Sequence, residues 1–193
     1  MKTFTIAAGV LYVSLAAADA RAAVLWSFEE TGGGVVGTFS GSLDLTGATE
    51  IIGDSVIGFA LIGPNTGTVL SGPAWSAGID VFSASAPASI GTGNFTNASS
   101  STGSPFAVTS SLGGRIGVPE RYVSGESLDG TITFGGATFA GLGIAPGSYV
   151  WSLPNDTVTL RFGPAAAVIP LPATLPLMLG AFGVAFAVAR RRG

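Results

Sequence analysis

The chain has 193 residues, no cysteine and no histidine, and a formal net charge of −3. That inventory excludes disulfides, Cys or His nucleophiles and the usual zinc sites, while 30 glycines and few charged residues describe a turn-rich β protein. Between residues 23 and 167 ten carboxylates stand against three arginines and no lysine, a net charge of −7 that disfavours nucleic acid as a partner, because phosphate binding needs clustered cations.

The N-terminal stretch MKTFTIAAGVLYVSLAAADARAAV predicts a signal peptide over residues 1–22. Lys2 is its positive end, Phe4 to Ala18 its apolar core, and Ala20-Arg21-Ala22 its A-x-A site. The expected cut follows Ala22, with a cut after Ala20 in second place. A buried first helix fits less well, since small residues crowd the positions where it would need large ones.

From Ala23 onward, short β-branched and aromatic runs alternate with Gly, Ser, Pro, Asn and Asp. AVLWSFEE (Ala23 to Glu30) predicts a strand leading into a turn at Thr31 to Gly34, and Val35 to Leu45 a second strand. EIIG, VIGFALIG, GTVLSG and AWSAGIDVFSA carry no helical period and are also expected to be strands. The polar segment from Ala86 to Ser104 predicts a long exposed loop. GTITFGG (Gly130 to Gly136) predicts another strand, and Phe139 and Leu142 suit one helical turn ending at Gly143. Tyr149, Trp151 and Leu153, then Val158, Leu160 and Phe162, share one face of a hairpin whose turn is Pro154-Asn155-Asp156. Apolar sheet faces must be hidden against a second sheet, so the expected fold is all-β, a β-sandwich or jelly-roll-like domain over residues 23–167.

Catalysis without His or Cys falls to carboxylates, and Glu29, Glu30, Glu120, Glu126 and Asp129 are the candidates for a glycosidase-like pair. Adjacent Glu29 and Glu30 point to opposite faces of a strand, so they cannot share a site, and solvated surface carboxylates are the favoured reading. Calcium is the sharper alternative: Ser127 to Thr131 and Pro154 to Thr157 offer carboxylates in Gly- or Pro-rich loops, though without EF-hand density. Trp26, Trp75, Tyr122, Tyr149 and Trp151 would make a sugar-stacking platform if exposed together; core positions are the favoured reading. Asn94, Asn97 and Asn155 each open an N-x-[ST] acceptor pattern.

The chain closes with VIPLPATLPLMLGAFGVAFAVARRRG, residues 168–193. The apolar run 174–189 spans about 24 Å as a helix against a hydrocarbon core of about 30 Å. That is short for a membrane span, but Arg190, Arg191 and Arg192 can snorkel to the interface, and they set the C-terminus in the cytoplasm. The run has no polar face, which argues against an amphipathic core helix. Pro170 and Pro172 keep the backbone ahead of it extended, a form that a protease subsite can bind.

Ile169, Pro170, Leu171, Pro172 and Ala173, the apolar run and the basic end together resemble the VPLPA form of the PEP-CTERM sorting signals of Gram-negative bacteria, with Ile169 in place of the leading valine. The resemblance implies recognition of the tail by an exosortase, a membrane protease or transpeptidase, then delivery to the cell surface or the exopolysaccharide matrix. Val118 to Leu153 is similar to a stretch recurring in such proteins, carried by Tyr122 to Gly125, Ala137 to Gly143 and Pro146 to Trp151. It implies a secreted β domain and assigns no catalytic residue. The resulting expectation is a non-enzymatic exported protein, tethered by residues 174–189 until processed, needing no cofactor, with exopolysaccharide as a further partner. A carboxylate-based carbohydrate-active enzyme or a calcium-dependent adhesin are the alternatives.

Overall fold

The computed structural model describes residues 23–73 and 77–163. Thirteen strands follow in chain order: β1 Ala23–Thr31, β2 Gly34–Gly41, β3 Glu50–Ile57, β4 Leu61–Gly63, β5 Thr68–Ser71, β6 Ala77–Ser83, β7 Thr96–Asn97, β8 Ser100–Gly103, β9 Phe106–Thr109, β10 Arg115–Pro119, β11 Leu128–Gly135, β12 Gly147–Ser152 and β13 Thr157–Phe162. One helical turn, α1 (Phe139–Leu142), precedes the final hairpin. The strands form two sheets, β12-β13-β1-β2-β11-β8 and β3-β6-β10-β9-β5-β4-β7. The fold is therefore all-β and sandwich-like, as the alternation of short strands predicts.

Period-2 patterning places the core. In β1, Val24, Trp26 and Phe28 are fully buried while Ala23 and Leu25 face out, and Val158, Leu160 and Phe162 do the same in β13. The second sheet contributes Ile62, Val69, Phe106, Val108, Ile116 and Val118 to the same cluster. The two layers meet at aromatic rings: Trp26 lies 4.8 Å from Phe39 within its own sheet and 5.7 Å from Phe106 across the interface, and Phe39 stacks on Phe106 at 5.3 Å. Such pairs contribute about 0.5–1.5 kcal/mol each beyond their burial. Two inner-face glycines make room for these rings. A Cβ on Gly37 would sit 2.3 Å from Phe28 Cε1, and one on Gly130 2.5 Å from Phe39 Cε1.

Three sequence expectations are corrected. The segment from Ala86 to Ser104 is a loop only in part: residues 86–95 lie outside the named strands, but β7 pairs with β4 at the edge of one sheet and β8 with β11 at the edge of the other. Its remaining backbone is also bonded, Ile90 N–H to Pro64 O (2.9 Å), Thr92 N–H to Gly143 O (2.9 Å) and Ser99 N–H to Thr133 O (2.7 Å). Ile90 is fully buried. Polar composition misleads here because sheet-edge hydrogen bonds, rather than apolar surface, order the chain. Ser127 to Thr131, expected as a loop, opens β11, where Leu128 pairs with Gly41 and Gly130 with both Phe39 and Gly103. The strand expected over Val35 to Leu45 ends at Gly41, since the next residues leave the sheet for side-chain partners described below. Ile90→Ala is expected to cost about 2–5 kcal/mol by chemical denaturation, as for a core position; a change within about 0.5 kcal/mol would return the segment to loop status.

Candidate functional site

Two turns of the domain converge on the segment after β2. The Tyr122 to Gly125 turn grips it from one side. Leu43 N–H donates to the Tyr122 hydroxyl (2.8 Å), which donates to Glu126 O (2.6 Å). Leu45 N–H donates to Ser124 Oγ (2.9 Å), and Gly125 N–H to Leu43 O (3.0 Å). The β12–β13 turn grips it from the other side. Asp44 N–H donates to Asp156 Oδ2 (2.8 Å), Thr157 N–H to Asp156 Oδ1 (2.6 Å), and Asn155 Nδ2 to Thr46 O (2.9 Å). Asp156 is only 5% exposed, and a carboxylate buried that deeply requires such partners. Leu43, fully buried, anchors the gripped segment in the core.

Charge follows from these bonds. Burial pushes the Tyr122 phenol above its ordinary pKa, the nearby Glu126 and Asp156 carboxylates add to the rise, and the bond from Leu43 opposes it. Asp44, on the surface, is held below the usual carboxylate value by hydrogen bonds from Thr46, its Oδ1 accepting the Thr46 N–H at 2.9 Å in an Asx turn.

The candidate acids are placed apart in role. Glu30 accepts the N–H of Phe139 at the start of α1, where Thr138 Oγ1 also accepts from Gly141 N–H (3.0 Å). Glu29 is exposed beside it on β1. Glu120 Oε1 pairs with Arg121 Nη2 at 3.0 Å, the arginine being 86% exposed, a geometry that contributes little to stability. Glu126 Oε2 accepts from Val123 N–H (3.4 Å), and Asp129 faces out on β11 opposite Ser40. Among the described residues there is no group of three or more carboxylates suited to a metal ion. In the Pro154 to Thr157 turn, both Asp156 oxygens already accept backbone N–H bonds.

The aromatics are core or clamp rather than a platform. Trp26 and Trp151 are fully buried, with Trp151 Nε1 donating to Thr109 O across the sheets (3.1 Å). Tyr149 packs on Phe162 edge to face and donates its hydroxyl to Ala145 O (2.9 Å). Trp75 lies outside the described residues. Asn94 and Asn97 are exposed, whereas the Asn155 amide is engaged with Thr46. Two open clefts flank these features. One of about 420 Å³ lies where β7 passes to β8, beside Phe59, Asn97 and Ser99, and one of about 240 Å³ lies between Ala23 and the Asn155-Asp156 turn.

Ala20, Ala22, Ile169 to Ala173 and Arg190 to Arg192 all lie outside the described residues, as does the run 174–189. Among the described residues no helix is long and apolar enough to cross a membrane. Comparison with protein-family models, curated proteins and solved structures gives no match to the chain.

The two-sided clamp on Leu43 to Thr46 is a feature that reading the residues singly misses. Its signals were Asp44-Leu45-Thr46-Gly47, an Asx-turn pattern, and the Tyr122 to Gly125 motif, which gives no hint of its distant acceptor. The raised Tyr122 pKa has a direction that melts can read. The fold favours the neutral phenol, so its contribution is fully present below the unfolded value of 10.0 and is lost as pH climbs through the higher folded value. Melting temperature is expected to fall above pH 10 in the parent chain and less steeply in Tyr122→Phe, which loses about 1–2 kcal/mol at neutral pH. Parallel pH profiles for the two proteins would remove Tyr122 from this role.

Proposed function

We propose that this chain is an exported, non-enzymatic β-sandwich protein. It is tethered through residues 174–189 and released by an exosortase-type protease acting at Ile169 to Ala173. Its destination is the cell surface or the exopolysaccharide matrix, the fate implied by the resemblance of the tail to the PEP-CTERM signals. The observation that carries the reading is where the strands fall. Ala23, the residue after the A-x-A site, already pairs with Thr157 on β13, and β13 closes at Phe162, ahead of the proline motif. Removal of residues 1–22 leaves every described pair of β1 with β13, Ala23 to Phe28, in place.

The non-catalytic part of the reading is supported by what the carboxylates do. Glu30, Glu126 and Asp156 accept backbone N–H bonds that fix turns and a helix start, and Glu120 pairs with the exposed Arg121. A general acid or nucleophile would instead need a free carboxyl facing a second one across a cleft.

Intact-mass measurement of the protein recovered from a host that carries an exosortase is expected to show Ala23 as the first residue and a C-terminus at or near the Ile169 to Ala173 motif. Replacing Pro170 and Pro172 by alanine is expected to leave the tail in place. Parent protein that retains Arg190 to Arg192 in such a host would overturn the processing step and leave a plain single-span anchor.

A further inference from the structure

Asp156 is a buried carboxylate for which the domain supplies no cation. It is 5% exposed, and its two oxygens accept one backbone N–H each, that of Asp44 at 2.8 Å and that of Thr157 at 2.6 Å. Such neutral donors fill lone pairs but leave the net charge unbalanced, the situation that makes a buried ion costly. Among the described residues no arginine answers it: Arg121 pairs with Glu120, Arg161 stands opposite Ser27 on the neighbouring strand, and Arg115 opens β10 in the other sheet. The titratable groups around it are acids or a phenol, Asp44 on the gripped segment and Tyr122 and Glu126 on the far side of the clamp.

Strand register sets this charge beside the backbone nitrogen of Ala23. β1 runs parallel to β13 with Ala23 opposite Thr157, so one step toward the N-terminus along β13 from that pair reaches Asp156. Asp44 lies on the other side of β1, three residues past the end of β2 at Gly41. The bond from Asp44 N–H to Asp156 Oδ2 therefore links the two flanks of β1 near Ala23. The same two residues share a cavity: Ala23 and Asp156 both line the open cleft of about 240 Å³ at the β12–β13 turn.

We propose that the cation of Asp156 is the α-ammonium created at Ala23 when residues 1–22 are removed, so that export completes an ion pair between the first strand and the last turn. The proposal rests on the cut after Ala22 in the reading above. Hydrolysis adds water across the Ala22–Ala23 bond: the acyl carbon leaves as a carboxylate, and the neutral amide nitrogen becomes an ammonium with three donors. Each Asp156 oxygen keeps acceptor capacity beyond its one backbone bond, so the pair forms without breaking the clamp. The precursor has no charge at this nitrogen, and the fastening is thus specific to the matured chain.

The test uses a convenience of the sequence: beyond residue 22 there is no lysine, so the α-amine is the one primary amine of the matured chain. Protein recovered from an exporting host, its first residue read by mass, is treated with trace acetic anhydride between pH 6 and 11, and acetylation of the N-terminal peptide is followed. An unperturbed α-amine titrates at about 8, whereas the Ala23 amine is expected to titrate at or above about pH 9. Asp156→Asn, which keeps the side-chain size and removes the charge, is expected to return it to about 8. One alanine inserted ahead of Ala23, with the cut still after Ala22, is expected to do the same, because it carries the ammonium about 3.3 Å away while leaving every clamp residue in place; this variant reads the pair even if Asp156→Asn does not fold. Asp44→Asn, which removes the neighbouring carboxylate, is expected to leave the high value. An ordinary titration in the parent that begins at Ala23, a high value retained with the inserted alanine, or an equal fall in Asp44→Asn and Asp156→Asn would overturn the ion pair alone. A first residue other than Ala23 would overturn both the cut and the pair.

Discussion

The parallel pairing of the first and last strands is the constraint on which the rest of this domain depends. β1 lies between β13 and β2, and residues Ala23 to Phe28 match Thr157 to Phe162 one for one. Without β13, β1 would be an open edge with Trp26 and Phe28 half covered; without β1, the β12–β13 hairpin would have no sheet to join. Because the partners sit at opposite ends of the sequence, the loop between them must close before either is repaid in contacts, which makes folding slow and late.

Trp26 concentrates the consequence. It sits in the middle of β1, stacks near Phe28 at 5.5 Å and reaches Phe39 and Phe106, so one residue ties the strand pairing to the packing of the two sheets. Its indole N–H is buried with no hydrogen-bond partner among the described residues, a cost of about 1–3 kcal/mol that the surrounding ring contacts must exceed. Around this core the acidic residues act as fasteners. Asp156 and the Tyr122 to Gly125 turn hold Leu43 to Thr46 where β2 leaves the sheet, and Glu30 closes the start of α1. A domain without cysteine thus uses side-chain to backbone bonds to fix its loops.

Much of this was legible in the residues. β1, the hairpin of β12 and β13, and the turn at Phe139 to Leu142 stand where strict alternation or a Thr-capped, Gly-terminated pattern puts them. The failures share a cause. The Ala86 to Ser104 segment and the start of β11 at Leu128 are short or polar, and their structure comes from partners distant in sequence. Composition registers hydrophobicity, whereas these strands are specified by neighbours whose open edges need N–H and C=O groups. The site behaved likewise. Glu120, Glu126 and Asp129 look alike as letters, but only contacts distinguish an ion pair, a turn fastener and an outward strand residue.

Native-state hydrogen exchange of the backbone amides tests the first-to-last pairing most directly. If the domain is a single cooperative unit closed by that ladder, the paired amides of Val24 to Phe28 and Val158 to Phe162 will exchange together, at the slow rate set by global unfolding and shared with the buried strands β2 and β10. Exchange of either strand at a markedly faster rate, with the other still protected, would contradict that dependence.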